Sequence, residues 1–315
     1  GVTATSADTT IVLNEQGTLD FKMVQNGDNK DEIDDVVLAG TNGVAIAEVE
    51  FEANEENVKV KELVFTASGD VSNTLADVRL VNGSNVVVDG AVITYSGSMT
   101  YITFKNDFTI DTASNKVKAL LVADLNSITT EGGQVSATAG DLFVKLNTVE
   151  AKWVASNEDI FANEDPTKVV TSTVESLAVS VVPALVTVSI VDEMGSNDSD
   201  AIIRFTIDKG NNDLDNSDIL VKSIALETAV AGSGVTVRND DNTTLVANSN
   251  ASTIDLTSAS ADLRKIVNGD EFELKVSDDN AEVRVKAKGI IVTIDGADYT
   301  ISNDKVIDLG EYDAN

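Results

Sequence analysis

The chain contains no cysteine, no histidine and only two prolines in 315 residues. Without cysteine, no disulfide can support the fold, and no thiolate can act as a nucleophile. Without histidine, Ser–His–Asp and Cys–His catalysis lose their base, and zinc, copper and haem sites lose their usual ligands. The phosphate-binding patterns G-x-x-x-x-G-K-[ST] and G-x-G-x-x-G are also missing. The sequence therefore predicts a protein that is not an enzyme.

Positive charge and aromatic side chains are scarce as well. The chain has 22 lysines and arginines against 53 aspartates and glutamates, a net charge of −31. We expect no nucleic-acid partner, because a duplex binder neutralises phosphates with basic side chains. We expect no membrane insertion, since no run of about 18 apolar residues occurs. The single tryptophan, Trp153, offers little surface for sugars, and we expect it to anchor the acidic segment around it against a domain.

The residues that abound are β-branched residues and turn formers, which together predict an all-β fold. Apolar and polar residues alternate with period two in successive segments, as in VKVKELVF from Val58. Asn82-Gly83, Asp89-Gly90, Ser96-Gly97 and Gly132-Gly133 mark the turns between such strands, and Asn-Gly and Asp-Gly supply the positive φ of tight hairpins. The best helical segment, SASADLRKIV at 258–267, is short and predicts a helical turn that bridges two strands.

The strand pattern breaks between residues 151 and 175, an acidic stretch that contains Pro166. A chain of this length is long for one domain and sufficient for two. Pro183 lies inside the strand pattern that follows, which favours an edge position or a bulge there. The predicted boundaries are 1–16 for an N-terminal strand extension, 17–155 for a first β-sandwich, 156–175 for a linker and 176–315 for a second β-sandwich.

An internal sequence repeat indicates that the two predicted domains have the same type of fold. AEVEFEAN from Ala47 and AIIRFTIDK from Ala201 both place Phe four residues after Ala, and VKVKELVF from Val58 parallels ILVKSIAL from Ile219. The first match is offset by 154 residues and the second by 161, so the second copy has seven extra residues between its strands. They lie in DKGNNDLDNSDI, 208–219, which we interpret as a hairpin tip, since loops accept insertions at small entropic cost.

Several segments resemble Ig-like modules of bacterial surface-layer and extracellular-filament proteins. They are AGTNGVAIAEVEFEANEENVKVKELVFTAS (39–68), LADVRLVNGSNVVVDG (75–90), FTIDTASNKVKALLVADL (108–125) and VSIVDEMGSNDSDAIIRFTIDK (188–209). In proteins of this family, Ig-like units stand in tandem and build a cell coat or an appendage. The resemblance implies two tandem Ig-like antiparallel β-sandwich domains, a location outside the cell or on its surface, and a structural role.

Calcium is the one ion that this ligand set suits, because calcium binds several hard oxygen donors. The candidate ligands in the inserted loop are Asp208, Asp213, Asp215 and Asp218. Their spacing is not that of an EF-hand, since Asp218 stands where that loop needs glycine. A second cluster contains Asp192, Asp198 and Asp200. We favour the competing interpretation, in which these are turns whose Asp and Asn side chains bind their own backbone. No other cofactor is expected.

The N-terminal stretch holds TTIVL, 9–13, an uncharged and β-prone segment without an obvious hairpin partner. A free strand of this kind can complete the sheet of a neighbouring subunit through backbone hydrogen bonds. The candidate self-association residues are Val2, Ile11, Val12 and Leu13. The equally weighted alternative is a first strand that pairs within the first sandwich, since an unpaired β edge is a hazard that proteins either cover or use.

These features predict a structural subunit of an extracellular filament or surface layer. Copies of the same chain are its expected partners, and they associate head to tail, with the N-terminal strand as the donated element. The competing class is an adhesin or a calcium-dependent carbohydrate-binding module. That class predicts a monomer whose melting temperature shifts with its ligand.

Overall fold

The computed structural model describes thirteen stretches of the chain. They are residues 18–24, 33, 35–69, 72–112, 116–129, 136–157, 159–161, 169–171, 175–214, 219–230, 234–276, 281–301 and 305–313. These residues form an all-β protein with two tandem β-sandwiches, which confirms the predicted all-β class. The predicted N-terminal extension, residues 1–16, lies outside the described ranges.

The first sandwich has two facing sheets. Its strands are β1 (Leu19–Val24), β2 (Val36–Leu38), β3 (Val44–Ala53), β4 (Val58–Gly69), β5 (Leu75–Asn82), β6 (Asn85–Val88), β7 (Val92–Ser96), β8 (Met99–Phe104), β9 (Phe108–Ile110), β10 (Val117–Leu125), β11 (Gly140–Trp153), β12 (Asp159–Phe161), β13 (Val169–Thr171) and β14 (Val179–Val182). One sheet has the order β13-β1-β3-β10-β5-β6. The other has the order β2-β14-β11-β4-β8-β7, with β12 beside β11 and β9 beside β4.

Alternate apolar side chains of these strands meet in the first core. Leu19 and Phe21 of β1 are fully buried, and the rings of Phe21 and Phe51 lie 5.5 Å apart. Trp153 ends β11 in the same core and is only 1% exposed. Trp153 is thus part of the sandwich itself, and the expectation that it anchors a separate linker is corrected.

The segment after β11 adds strands to the first sandwich. β12 pairs with β11, β13 pairs in parallel with β1, and β14 lies between β11 and β2. Val179 and Val181 of β14 are buried in the first core, because their alternation matches that sheet. The sequence interpretation placed this strand in the second domain. Pro183, which has no N–H to donate, follows the end of β14, and the next strand begins at Leu185.

The second sandwich is smaller. Its elements are β15 (Leu185–Asp192), β16 (Asp200–Asp208), β17 (Ile219–Leu226), β18 (Val235–Asn239), β19 (Thr244–Ser249), β20 (Thr253–Asp255), α1 (Ala261–Arg264), β21 (Glu271–Val276), β22 (Ala281–Ile294), β23 (Ala297–Thr300) and β24 (Ile307–Tyr312). One sheet has the order β15-β16-β21-β18-β19 and the other β20-β17-β22-β23, with β24 also beside β22. α1 is the single helical turn expected within 258–267. Within the described ranges, no helix has the length and hydropathy needed to cross a membrane.

The internal sequence repeat corresponds to equivalent strands of the two sandwiches. β3 and β4 lie in different sheets of the first sandwich, as β16 and β17 do in the second. Phe51 and Phe205, the shared aromatic residues, are both buried, and each packs against another phenylalanine ring. The loop 208–219 therefore joins two sheets, and its interpretation as a hairpin tip is wrong. Period-two alternation identifies a strand but not the sheet to which that strand belongs.

Candidate functional site

The inserted loop of the second sandwich contacts the first sandwich through Asn212, which is 4% exposed. The Nδ2 group of Asn212 donates to the backbone carbonyl of Ala39 at 2.8 Å, and its Oδ1 atom accepts from the backbone N–H of Ile128 at 2.6 Å. The N–H of the next residue, Asp213, donates to the carbonyl of Ile128 at 2.9 Å. The insertion thus forms a hydrogen-bonded joint between the sandwiches.

The same loop is also tied to its own sandwich. Oδ1 of Asp208 accepts the N–H of Gly210 at 2.9 Å, which is the turn geometry favoured for these aspartates. Nζ of Lys209 donates to the carbonyl of Leu214 at 2.7 Å, and the Leu214 side chain is buried in the second core. Two of the four candidate calcium ligands, Asp215 and Asp218, lie outside the described residues. Calcium binding by this loop stays a prediction.

The second acidic cluster is held by hydrogen bonds within the protein. Asp198 Oδ1 accepts the N–H of Asp200 at 3.1 Å, and the Asp200 carboxylate accepts from Lys275 Nζ at 2.7 Å. Burial opposes ionisation of Asp200, but hydrogen bonds from Lys275 and Ser199 keep its pKa below the ordinary value. In the part of the chain that the structure describes, no three acidic side chains converge as metal ligands would.

A groove lies between β15 and β23 of the second sandwich, and Val36 and Val182 of the first sandwich also line it. Its volume is about 270 Å³, and its apolar walls include Val36 of the first sandwich with Val186, Val292, Ile294 and Ile301 of the second. None of the described residues that line it is charged. The groove is therefore a candidate contact for an uncharged segment of another molecule.

The groove continues into a polar cavity of about 400 Å³. Asp141 and Ser180 of the first sandwich line it, and the Ser180 hydroxyl donates to the Asp141 carboxylate. Asp298 of the second sandwich lines it too, and accepts from Lys222 Nζ and from the hydroxyl of Thr293. The hydrogen bond from Lys222 is the largest cause that lowers the pKa of Asp298. Hydroxyl-bearing residues of a partner would find acceptors here.

Among the described residues, β15 pairs with β16 alone, so this strand forms an open edge of the described sheet beside the groove. Its residues from Leu185 to Val191 carry no charge and include no proline. Val188 and Ile190 lie on the core side of the strand but are only partly buried, and Val191 is 42% exposed. Soluble proteins usually protect such edges with charges, proline or bulges. A bulge is present near Ile190, at the far end of the strand.

A second uncharged edge belongs to the first sandwich. In the described part of the chain, β7 pairs with β8 alone and lies at the opposite edge of its sheet from β2. Val92 is 54% exposed and Tyr95 is 36% exposed. The hydroxyl of Tyr95 donates to the carbonyl of Leu75 at 2.6 Å, which ties this edge to the facing sheet. The outer backbone edge of β7 is therefore open among the described residues, but the Tyr95 side chain partly closes this edge.

The self-association residues expected from the sequence, Val2, Ile11, Val12 and Leu13, lie outside the described residues. The groove and the open edge of β15 are surfaces that the sequence reasoning missed. The sequence has an uncharged run from 185 to 191, but longer uncharged runs occur elsewhere, for example at 36–47 and 90–104. That run does not reveal which strand lies at the edge of a sheet, since strand order depends on pairing across the whole sandwich.

No protein-family model matches the sequence, and no curated protein matches it. Among solved structures, a non-cellulosomal cohesin from Archaeoglobus fulgidus matches 53% of this chain and 92% of its own, with 12% identity and a TM-score of 0.24. The FdeC adhesin of Escherichia coli matches 93% of this chain and 64% of its own, with 10% identity and a TM-score of 0.23. BcpA, the major pilin subunit of Bacillus cereus, matches 94% of this chain and 66% of its own, with 11% identity and a TM-score of 0.20. Likeness at this level leaves the function to be inferred from the chain's own geometry.

Proposed function

We propose that the chain is a structural subunit of an extracellular filament or surface layer, whose copies associate head to tail through strands added at open sheet edges. The observation that carries this proposal is the edge strand β15, which is uncharged from Leu185 to Val191 and borders an apolar groove. Backbone donors and acceptors along such an edge can pair with an extended segment of another molecule.

Electrostatics limits where two copies of this protein can meet. Each subunit carries a net charge of −31, so like charges repel at most approaches. A contact between uncharged surfaces avoids both this repulsion and the cost of burying a carboxylate. The groove and β15 supply one uncharged surface for such a contact, and the segment 9–13 supplies the other.

The positions of donor and acceptor favour a polymer over a closed dimer. Residues 1–17 precede the first strand of the first sandwich, whereas β15 belongs to the second sandwich. A donor on one sandwich and an acceptor on the other make a head-to-tail interface, which propagates if its rotation does not close a ring. The Asn212 joint holds the sandwiches together, so that successive contacts have a consistent spacing.

The competing function, an adhesin or a calcium-dependent carbohydrate-binding module, predicts a monomer in solution. Negative-stain microscopy of the full chain and of a variant lacking residues 1–13 tests the two classes. We expect filaments or lattices from the full chain and dispersed particles from the deletion variant. Unchanged polymers from the deletion variant would rule out strand donation, and monomers of the full chain under all assembly conditions would rule out the structural role.

A substitution pair refines the test. Ile11→Asp with Leu13→Asp places two charges on one face of the segment 9–13, and we expect it to prevent assembly. The matched control, Asn14→Asp with Gln16→Asp, adds the same charge outside that segment. We expect the control to assemble like the unaltered chain, so that a general effect of added charge is distinguished from loss of the apolar face.

A further inference from the structure

We infer that the groove between β15 and β23 is the acceptor site for residues 9–13 of a second copy of this chain. The inference rests on the proposed function and specifies its interface. The groove is bounded by two strands at sheet edges, β15 in one sheet and β23 in the facing sheet. Between these edges the second sandwich is open on one side, and a strand inserted there would extend one of the sheets.

The core residues of β15 show that this side of the sandwich is incompletely covered. On the neighbouring strand β16, Ala201, Ile203 and Phe205 face the core and are fully buried. On β15, the corresponding side chains of Val188 and Ile190 pack against the core but stay partly exposed. An added apolar strand would remove this remaining surface from water, which stabilises the contact by the usual hydrophobic effect.

The segment 9–13, TTIVL, has the chemistry that the groove requires. In an extended strand, Ile11 and Leu13 lie on one face because successive side chains alternate. That face matches the apolar walls formed by Val186, Val292 and Ile294. Neither the apolar part of the groove nor the segment 9–13 carries a charge that this contact would bury.

The order of polar and apolar residues in the segment 9–13 indicates the direction in which it runs relative to β15. Two threonines precede the three aliphatic residues, and the groove has a polar part next to an apolar part. The polar part contains Ser180 and Asp141, and it shares Val36 with the apolar part, which Leu185 at the start of β15 lines. Placing the threonines at this end lets their hydroxyls donate to carboxylate or backbone oxygens. The aliphatic residues then run along β15 in the same direction as that strand.

Disulfide mapping tests this site directly, because the chain has no cysteine of its own. Val12→Cys and Ser189→Cys are made in separate full-length chains, mixed under assembly conditions and oxidised. Ser189 is exposed on β15, and neighbouring strands bring Cα atoms within the range that a disulfide spans. We expect a crosslinked pair of chains whose linked peptides, identified by mass spectrometry, contain residues 12 and 189.

Thr94→Cys, on the other open edge β7, is the matched control, because Thr94 is exposed too. If Val12→Cys crosslinks to Thr94→Cys and not to Ser189→Cys, the acceptor site inferred here is wrong, while strand donation itself stands. If Val12→Cys crosslinks to neither, and deletion of residues 1–13 leaves assembly unchanged, both the site and strand donation are wrong. A chain with both Val12→Cys and Ser189→Cys that closes only within itself would likewise overturn the inter-subunit site.

Discussion

The side chain of Asn212 in the second sandwich bonds the carbonyl of Ala39 and the N–H of Ile128 in the first. Asn212 and Ala39 are 173 residues apart in the sequence. A primary amide suits this position, because it offers a donor and an acceptor in one plane. The insertion that distinguishes the second copy from the first therefore serves to join the two sandwiches.

Asn212→Ala should weaken this joint. The substitution leaves the buried carbonyl of Ala39 without its donor, and an unsatisfied buried polar group costs about 1–3 kcal/mol. We expect a lower free energy of unfolding in urea and an earlier transition of the second sandwich. Asn211→Ala, at the exposed neighbouring position, is the control and should unfold like the unaltered chain. Equal stability of the two variants would show that the amide does not stabilise the joint.

The ion pair between Lys288 and Asp35 also joins the sandwiches, but we expect it to contribute less. Both side chains are substantially exposed, at 40% and 58%, so water screens their attraction. Exposed pairs contribute about 0–1 kcal/mol. Lys288→Ala should therefore reduce the free energy of unfolding by less than Asn212→Ala does, and its effect should shrink at high salt. A larger loss for Lys288→Ala, measured in the same urea titrations, would contradict this ranking.

Asp298 makes the stability of the chain sensitive to acid. Its folded-state pKa is below the ordinary value because Lys222 donates a hydrogen bond to the carboxylate. The folded state therefore binds fewer protons than the unfolded state, so the contribution of Asp298 is present above the ordinary pKa. It is lost as the pH falls through the lowered pKa. Asp298→Asn should flatten the decline in stability below about pH 4.

Thermal unfolding measured at a series of acidic pH values checks this prediction. Asp89→Asn, which removes an exposed carboxylate in the loop after β6, is the control for the loss of one negative charge. If Asp298→Asn shows the same decline with pH as the unaltered chain, the hydrogen bond from Lys222 does not stabilise the folded state.

Assembly should become stronger as salt is added. The proposed contact is uncharged, while the subunits repel each other through their net charge of −31. Salt shortens the range of this repulsion, from about 10 Å at 0.1 M to about 3 Å at 1 M ionic strength. Light scattering should therefore show more polymer at the higher ionic strength. Less polymer with added salt would indicate a contact made by ion pairs instead.

Local features of this fold follow closely from the sequence. The alternation in VKVKELVF gives β4, and the positive φ of Gly83 and Gly97 forms two hairpin turns. The short helical turn within 258–267 also follows from the sequence. Each of these depends on neighbouring residues only, and such dependence is what periodicity and turn chemistry report.

Features that depend on contacts between distant residues could not be predicted from the sequence. Alternation identifies β14 as a strand, but only its pairing with β11 and β2 assigns it to the first sandwich. The role of Asn212 depends on a carbonyl far away in the sequence. The groove is formed between β15 and β23, the edge strands of the two described sheets, and no single segment encodes that arrangement. Local patterns limit the choice of element, and long-range pairing decides the surfaces that remain open.

Hydrogen exchange of the backbone amides in β15 tests the central claim most directly, because an added strand would protect an edge that is open in the single subunit. The comparison is between assembled polymers and dispersed subunits of the same chain. We predict slower exchange in the assembled state for amides of Leu185–Asp192, with little change in β7. Identical exchange of β15 in both states, or protection of β7 instead, would contradict the account.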